Sequence, residues 1–201
     1  MLFRSNAAED LIVARNVILS EYTGAHIHLQ HISSRASVDI IRRAKARGVR
    51  ITAEATPHHF TLTDEALGTY DTNFKMNPPL RSEDHVEALL EAVADGTITV
   101  LASDHAPHCG FEKEVEFDHA PFGILGLETE LGLFIDLLVH KRKVIGMRRL
   151  VEMYTVEPAR LLGLDAGTLS VGAPGDVTVI DPGKEWVVDA GAIVSRSRNT
   201  P

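Results

Sequence analysis

The chain is poor in cysteine, in aromatic residues and in positive charge. Cys109 is the single cysteine among 201 residues, so no internal disulfide can form and a reducing, cytoplasmic setting is the simplest expectation. Lysine and arginine number 20 against 28 acidic residues, giving a net charge of −8. Nucleic acids and anionic membranes are held by clustered cationic side chains, so no such partner is expected. No apolar run approaches the roughly 20 residues of a membrane span, and the start, MLFRSNAAED, has no signal-peptide core. What remains, 44% hydrophobic and 24% charged, suits one well-buried domain with an appendage.

The order of apolar runs and breakers predicts strands alternating with helices. Ser5 or Asn6 caps a first helix, with Glu9 placed as in a capping box and Leu11, Ala14 and Ile18 at helical spacing up to Gly24. A strand over AHIHLQHIS leads to a helix bearing Val38, Ile41 and Ala44, ended by Gly48. A second strand, Arg50 to Thr56, runs through PHHF and NPPLRS to a helix with Val86, Leu89, Leu90 and Val93. A third, ITVLASD, opens into a loop of about twenty residues, long enough to favour a functional role. Helices follow from about Leu127 to His140 and from about Met147, the latter broken near Pro158. Strand-helix units in this order imply parallel strands, hence an α/β fold, either a doubly wound sheet or a (β/α) barrel. After about Leu164 short β-branched runs punctuated by Gly and Pro predict a small β element. The domain reading is therefore 1–163 and 164–201.

Chemistry concentrates where the strands end. In TVLASDHAPH an apolar run stops at Ser103-Asp104, and His105 and His108 follow. The C-terminal ends of parallel strands are where such folds place their reacting groups. A carboxylate there can hold a metal or take a proton from water, and an imidazole can do either or bind an anion. Two further histidine clusters, HIHLQH and PHH, lie in or just after the other strands. Alternation puts His26 and His28 on one face and His31 on the other; His31, nearest the strand end, is the functional candidate, and His26 and His28 are expected between sheet and helix. His58 and His59 either line the mouth of a site or serve structure. Asn77 is held by the two prolines after it, which suits a substrate contact or a turn. Cys109 is read as a bystander and EKEVEFD as a solvated loop. Catalytic zinc usually takes three protein ligands; beyond His31 and Asp104 only His58 offers itself locally. A closed barrel needs eight strands, more than are legible here, so part of a larger protein is expected elsewhere.

Taken together, HLQHIS, ITAEATPHHF, FKMNPPLR, ASDHAPH, APFGILGLETE and GAPGDVTVID resemble the dihydroorotases, in the cyclic-amidohydrolase branch of the metal-dependent amidohydrolases. The resemblance covers nearly the whole chain. It implies the C-terminal part of a (β/α)8 barrel, strands six to eight, followed by an incomplete β-sandwich segment. The family's first-strand histidine pair, its bridging acid or carboxylated lysine and its fifth-strand histidine have no match here. By position, the resemblance makes His31 a ligand of one zinc ion and Asp104 a ligand of another and the general base. It makes Asn77 and His108 holders of the substrate's carboxylate and ring, and the Phe122 and Gly123 backbone a pyrimidine contact. The implied activity is zinc-dependent, reversible hydrolysis of the cyclic amide of dihydroorotate to N-carbamoyl-aspartate in pyrimidine synthesis, with little or no turnover by this chain alone. A homodimer or a complex with aspartate transcarbamoylase is the implied assembly. The rival readings are a hydantoinase or allantoinase, and a catalytically inactive homologue acting as a structural partner.

Overall fold

The computed structural model describes residues 5–189 and 191–201. Residues 1–4, which open the stretch read for a leader, lie outside them, as does Ala190 of the expected β element. Three parallel strands form the sheet in the order β1 (Ile27–Leu29), β2 (Ile51–Ala55), β3 (Val100–Leu101). Ile27 pairs with Ile51 and Leu29 with Ala53, while Glu54 pairs with Val100. All three strands are shorter than their apolar runs, because the chain leaves the sheet to build the loops at its C-terminal edge.

Helices cover one face. α1 (Asn6–Thr23) starts at Ser5, whose hydroxyl accepts from the Ala7 N–H, and stops at Gly24 in the left-handed conformation that glycine adopts without a Cβ penalty. Glu9 does not close a capping box. Its carboxylate reaches across to the Ser33 and Ser34 N–H groups at the start of α2 (Arg35–Ala46), a non-local partner that a local pattern cannot reveal. α2 packs between α1 and α4 (Glu83–Ala94). The predicted stripes Val38, Ile41, Ala44 and Val86, Leu89, Leu90, Val93 are buried between these helices and the sheet residues Leu29, Ile51, Ala53 and Ala55. Burial of each large aliphatic side chain contributes about 1.5–3 kcal/mol.

α3 (Pro57–Thr61) follows β2 directly. The helix expected over Leu127 to His140 runs as α6 (Glu130–Phe134) and then widens into π-helical turns over Ile135–Lys141. Phe134, fully buried, packs edge-on against Phe60 of α3 and Tyr154 of α7 (Met147–Tyr154). The break comes at Thr155, and Pro158 sits inside α8 (Val156–Leu162), near the helix start where its missing N–H costs little. The long loop after β3 carries one short helix, α5 (Gly110–Lys113).

No strand of the expected β element is present among the described residues. Among the described residues beyond Gly163 there are turns and irregular backbone but no strand. Val171, Val177, Val179 and Val187 lie exposed. A β-branched run becomes a strand only when a neighbour takes its backbone hydrogen bonds, and no such neighbour stands beside these runs among the described residues.

Candidate active site

At the C-terminal edge of the sheet the backbone twists twice into a region that side-chain-bearing residues avoid. His31, just past β1, has φ 38°, and Asp104, just past β3, has φ 46°. Neither is Gly, Asn at a turn tip or part of a helix cap, and such outliers persist only where the surroundings enforce them. His31 Nδ1 is buried with no hydrogen-bond partner. The Asp104 carboxylate, 29% exposed, has His58 Nε2 at 3.8 Å. Burial pushes Asp104 above its ordinary carboxylate range; the His31 imidazole opposes that shift and the Glu54 charge adds to it. His58 is driven well below its ordinary value by burial and by the neighbouring His59 and His31 rings. His31, His58 and Asp104 thus share one electrostatic neighbourhood, brought from three segments by the parallel strand order.

The second histidine cluster divides by hydrogen bonding. Thr56 Oγ1 lies 2.9 Å from His58 Nε2 and 2.7 Å from His59 Nδ1. His59 Nε2 donates to the Pro78 carbonyl at 3.0 Å, and burial takes its pKa down to about 4. His59 is therefore a neutral strut between α3 and the NPP segment. His58 has its Nε2 against a hydroxyl, so it stands beside the site rather than offering that nitrogen as a ligand.

His26 and His28 do not pack between sheet and helix. Alternation turns them to the face away from the helices, where His28 bonds Thr52 at 2.9 Å and the Glu54 carboxylate at 2.9 Å, and His26 bonds Thr52 at 3.0 Å. The apolar partners on the helix side are Ile27 and Leu29.

Asn77 is exposed and precedes a cis peptide to Pro78. His108 Nε2 donates to the Phe122 carbonyl at 2.9 Å, and its Nδ1 lies 3.7 Å from Glu112. Because a carbonyl can only accept, Nε2 carries the proton and Nδ1 is the atom left for a ligand. The Gly123 N–H is taken by the Lys75 carbonyl and its C=O by Asn199. Of the expected Phe122–Gly123 backbone pair, the Phe122 N–H is thus the donor without a partner among the described residues. Gly123 itself is dictated by space: with φ 145°, an added Cβ would meet Ala106 Cβ at 2.6 Å and His108 Nε2 at 2.9 Å.

Several residues with structural weight at this edge escaped the sequence reading. His105 Nδ1 accepts from the Gly126 and Leu127 N–H groups. Lys113, expected in a solvated loop, is buried and donates to the Thr72 and Pro121 carbonyls; burial and the nearby Lys75 lower it to about 8. Lys75 hooks the carbonyls of Phe117, Asp118 and Ala120. No local pattern signals a lysine that binds carbonyls forty residues away. A cavity of about 720 Å³ lies on the far side of Phe122, walled also by Lys75, Met76 and Arg81, and neither His31 nor Asp104 lines it.

Among the described residues no group of three or more His, Cys, Asp or Glu side chains is arranged to hold a metal ion. The His31 nitrogen without a partner and the Asp104 carboxylate fit part of such a shell, since a buried imidazole lone pair and a carboxylate are ordinary zinc donors.

A parallel α/β sheet with imidazole and carboxylate groups just past its strand ends belongs to the class of α/β folds that place their reacting groups at the C-terminal edge of the sheet. The comparisons with known proteins narrow this class. Residues 13–200 match the model of the Amidohydrolase family, and the chain belongs to that family. It is 55% identical over 195 residues to a dihydroorotase of Geotalea daltonii, covering 97% of this chain and 45% of that protein. With a dihydroorotase of Pelotomaculum thermopropionicum the identity is 53% with the same coverage. The chain therefore spans about half the length of the curated relatives it matches. Among solved structures it resembles an L-hydantoinase (dihydropyrimidinase) from Arthrobacter aurescens, with TM-score 0.79 and 29% identity over 86% of this chain and 39% of that one. A D-hydantoinase (dihydropyrimidinase) from Thermus sp. gives 0.73 and 30%, again over 86% and 39%. The fold is thus an α/β partial barrel of the amidohydrolase kind. No helix among the described residues is long and apolar enough to cross a membrane.

Proposed function

We propose that this chain carries part of the active site of a dihydroorotase, which reversibly hydrolyses the cyclic amide of dihydroorotate to N-carbamoyl-aspartate. The observation that supports the reading is the position of His31 just past β1 and of Asp104 just past β3, at one edge of the sheet, in a chain more than 50% identical to curated dihydroorotases. His31 and Asp104 are the residues that would hold zinc. When bound, the metal supplies Lewis acidity and a water acidified toward neutral pH. The Asp104 carboxylate takes a proton from the attacking water as oxygen adds to the ring carbonyl carbon. It returns that proton to the ring nitrogen as the C–N bond breaks. Its partial burial supports the proton-accepting half of this role, since a carboxylate whose pKa is raised binds a proton more tightly than one in water. Asn77 and the Phe122 N–H are assigned to the substrate as donors, since its carboxylate needs donors if it is to leave water, and the His108 Nδ1 lone pair is assigned as an acceptor from a ring N–H.

We assign residues 1–163 to the barrel part and 164–201 to an incomplete β-sandwich segment, on the end of the helical layer at Gly163 and the exposed β-branched runs beyond it. Two ligands are fewer than the three that catalytic zinc usually takes, so the 201-residue chain by itself is expected to bind zinc weakly and turn over slowly. The test is an assay of the complete gene product, supplied with zinc, on dihydroorotate and on hydantoin. Turnover of dihydroorotate in preference supports the reading. Turnover of hydantoin alone replaces it with a hydantoinase, and no turnover of either with bound zinc absent leaves an inactive homologue.

A further inference from the structure

One buried polar side chain near the C-terminal end of the described chain spends both of its amide donors and its amide oxygen on the two loops that carry the substrate assignments. Asn199 is 4% exposed. Its Nδ2 donates to the Ala106 carbonyl at 2.8 Å and to the Gly123 carbonyl at 3.1 Å, while its Oδ1 accepts the His108 N–H at 3.1 Å. Its own carbonyl accepts the Leu125 N–H at 3.0 Å. Turning the amide over would set an NH2 group against an N–H and an oxygen against two carbonyls, so one orientation is fixed. The segment leading to it is anchored separately. Glu128 accepts the Val194 and Ser195 N–H groups at 2.9 Å each, and these bonds hold its carboxyl below the ordinary range.

The geometry points to Asn199 as a positioning residue for substrate binding, clamping the His108 loop to the Phe122–Gly123 loop. This rests on the dihydroorotase reading for the identity of the substrate, though not for the clamp. Besides the clamp, the two loops meet through the Ala106 N–H on the Ile124 carbonyl and the His108 ring on the Phe122 carbonyl, and further along through the Gly126 and Leu127 N–H groups on His105 Nδ1. Gly123 leaves no slack, because even a Cβ there would collide with His108 Nε2. A small slip along this seam therefore moves both the His108 Nδ1 and the Phe122 N–H relative to each other. Asp104 and His31 stand on other anchors, at the ends of β3 and β1. Loss of the clamp should thus weaken substrate binding more than it slows the chemical step.

The test uses Asn199→Asp, which keeps the shape and the acceptor for the His108 N–H but sets an oxygen against the Ala106 and Gly123 carbonyls. In the complete gene product, KM for dihydroorotate is expected to rise about tenfold with kcat changing less than about threefold, the signature of lost binding rather than lost chemistry. Glu128→Gln, which loosens the other anchor, should move KM the same way by a smaller factor. Amide hydrogen exchange is read in parallel on the 201-residue chain: the His108 and Leu125 amides should exchange about tenfold faster in Asn199→Asp, with the Ile41 amide in α2 unchanged. Unchanged exchange at His108 and Leu125 overturns the clamp. Faster exchange with an unchanged KM, or with kcat and KM affected alike, overturns its role in binding. A wild-type protein without dihydroorotate turnover overturns the functional reading instead, and the exchange result then decides the clamp by itself.

Discussion

Two buried polar clusters grow from neighbouring residues of one loop and are built on opposite principles. Two residues after His31, Ser33 joins a network in which Glu9 accepts from the Ser33 and Ser34 N–H groups and from the Ser33 hydroxyl. Arg81 donates to Glu9 at 3.2 Å, to Ser33 Oγ at 3.0 Å and to Asn6 at 2.6 Å. Burial alone would raise the Glu9 pKa, but these donors outweigh it and the carboxyl ends below its ordinary value. At the strand edge the balance runs the other way: His31 keeps a nitrogen without a partner and burial wins at Asp104. Satisfied networks hold a fold in one arrangement, whereas groups left short of partners are available to something that arrives later.

The contrast can be broken from either side. The largest effect is expected for Asp104→Asn in the complete gene product, where kcat should fall by about 10²–10⁴-fold, the range of a lost general base, with little change in the thermal midpoint. Comparable stability loss in that variant would mean that Asp104 is structural after all. The mirror experiment is Arg81→Met, which strands a buried carboxylate and should cost about 3 kcal/mol in urea unfolding at pH 7, with Glu9→Gln in the same chain restoring part of it. Since the folded-state pKa of Glu9 is depressed, its contribution is present above the unfolded value near 4.5 and is lost as pH falls through the folded value. The gap between wild type and Arg81→Met should therefore narrow in acid.

A third variant sharpens the comparison away from both clusters. Glu130 has a buried Oε2 without a partner, as has the Tyr154 hydroxyl, and burial raises Glu130 to about 7. A raised carboxyl pKa means that the folded state loses stability as pH climbs from the unfolded value to the folded one. Glu130→Gln should thus stabilise the chain by about 1–2 kcal/mol at pH 8, allowing for solvent screening of a half-exposed group, and have no effect at pH 4. The smallest effect is expected for Arg42→Ala. Its ion pairs with Asp39 and Asp95 are exposed, and the loss should stay under about 1 kcal/mol and shrink in salt.

Helix faces, caps and the parallel strand order were legible because each depends on residues a few positions apart. Val38, Ile41 and Ala44 on one face, or Gly24 at a helix end, need no distant partner to be read. His31 and Asp104 were legible as strand-end residues, and they fall at the same edge of the sheet because β1 and β3 flank β2 in parallel. Glu9 was misread because its donors lie about two dozen residues further on. His28 went to the other face because a histidine can sit on a polar sheet surface as readily as in a core. Lys113 and Asn199 gave no signal at all, since their partners are carbonyls, which every residue owns. The tail was read as a β element from β-branched runs punctuated by Gly and Pro, which state a preference and supply no neighbour.

The left-handed backbone at His31 and Asp104 bears on how the site meets a ligand. The unfavourable torsions are adopted when the chain folds, before anything binds, so the two side chains have little left to rearrange on each encounter. Replacing either residue with a β-branched one would therefore do more than delete a functional group, because a branched side chain adopts this torsion at a still greater cost.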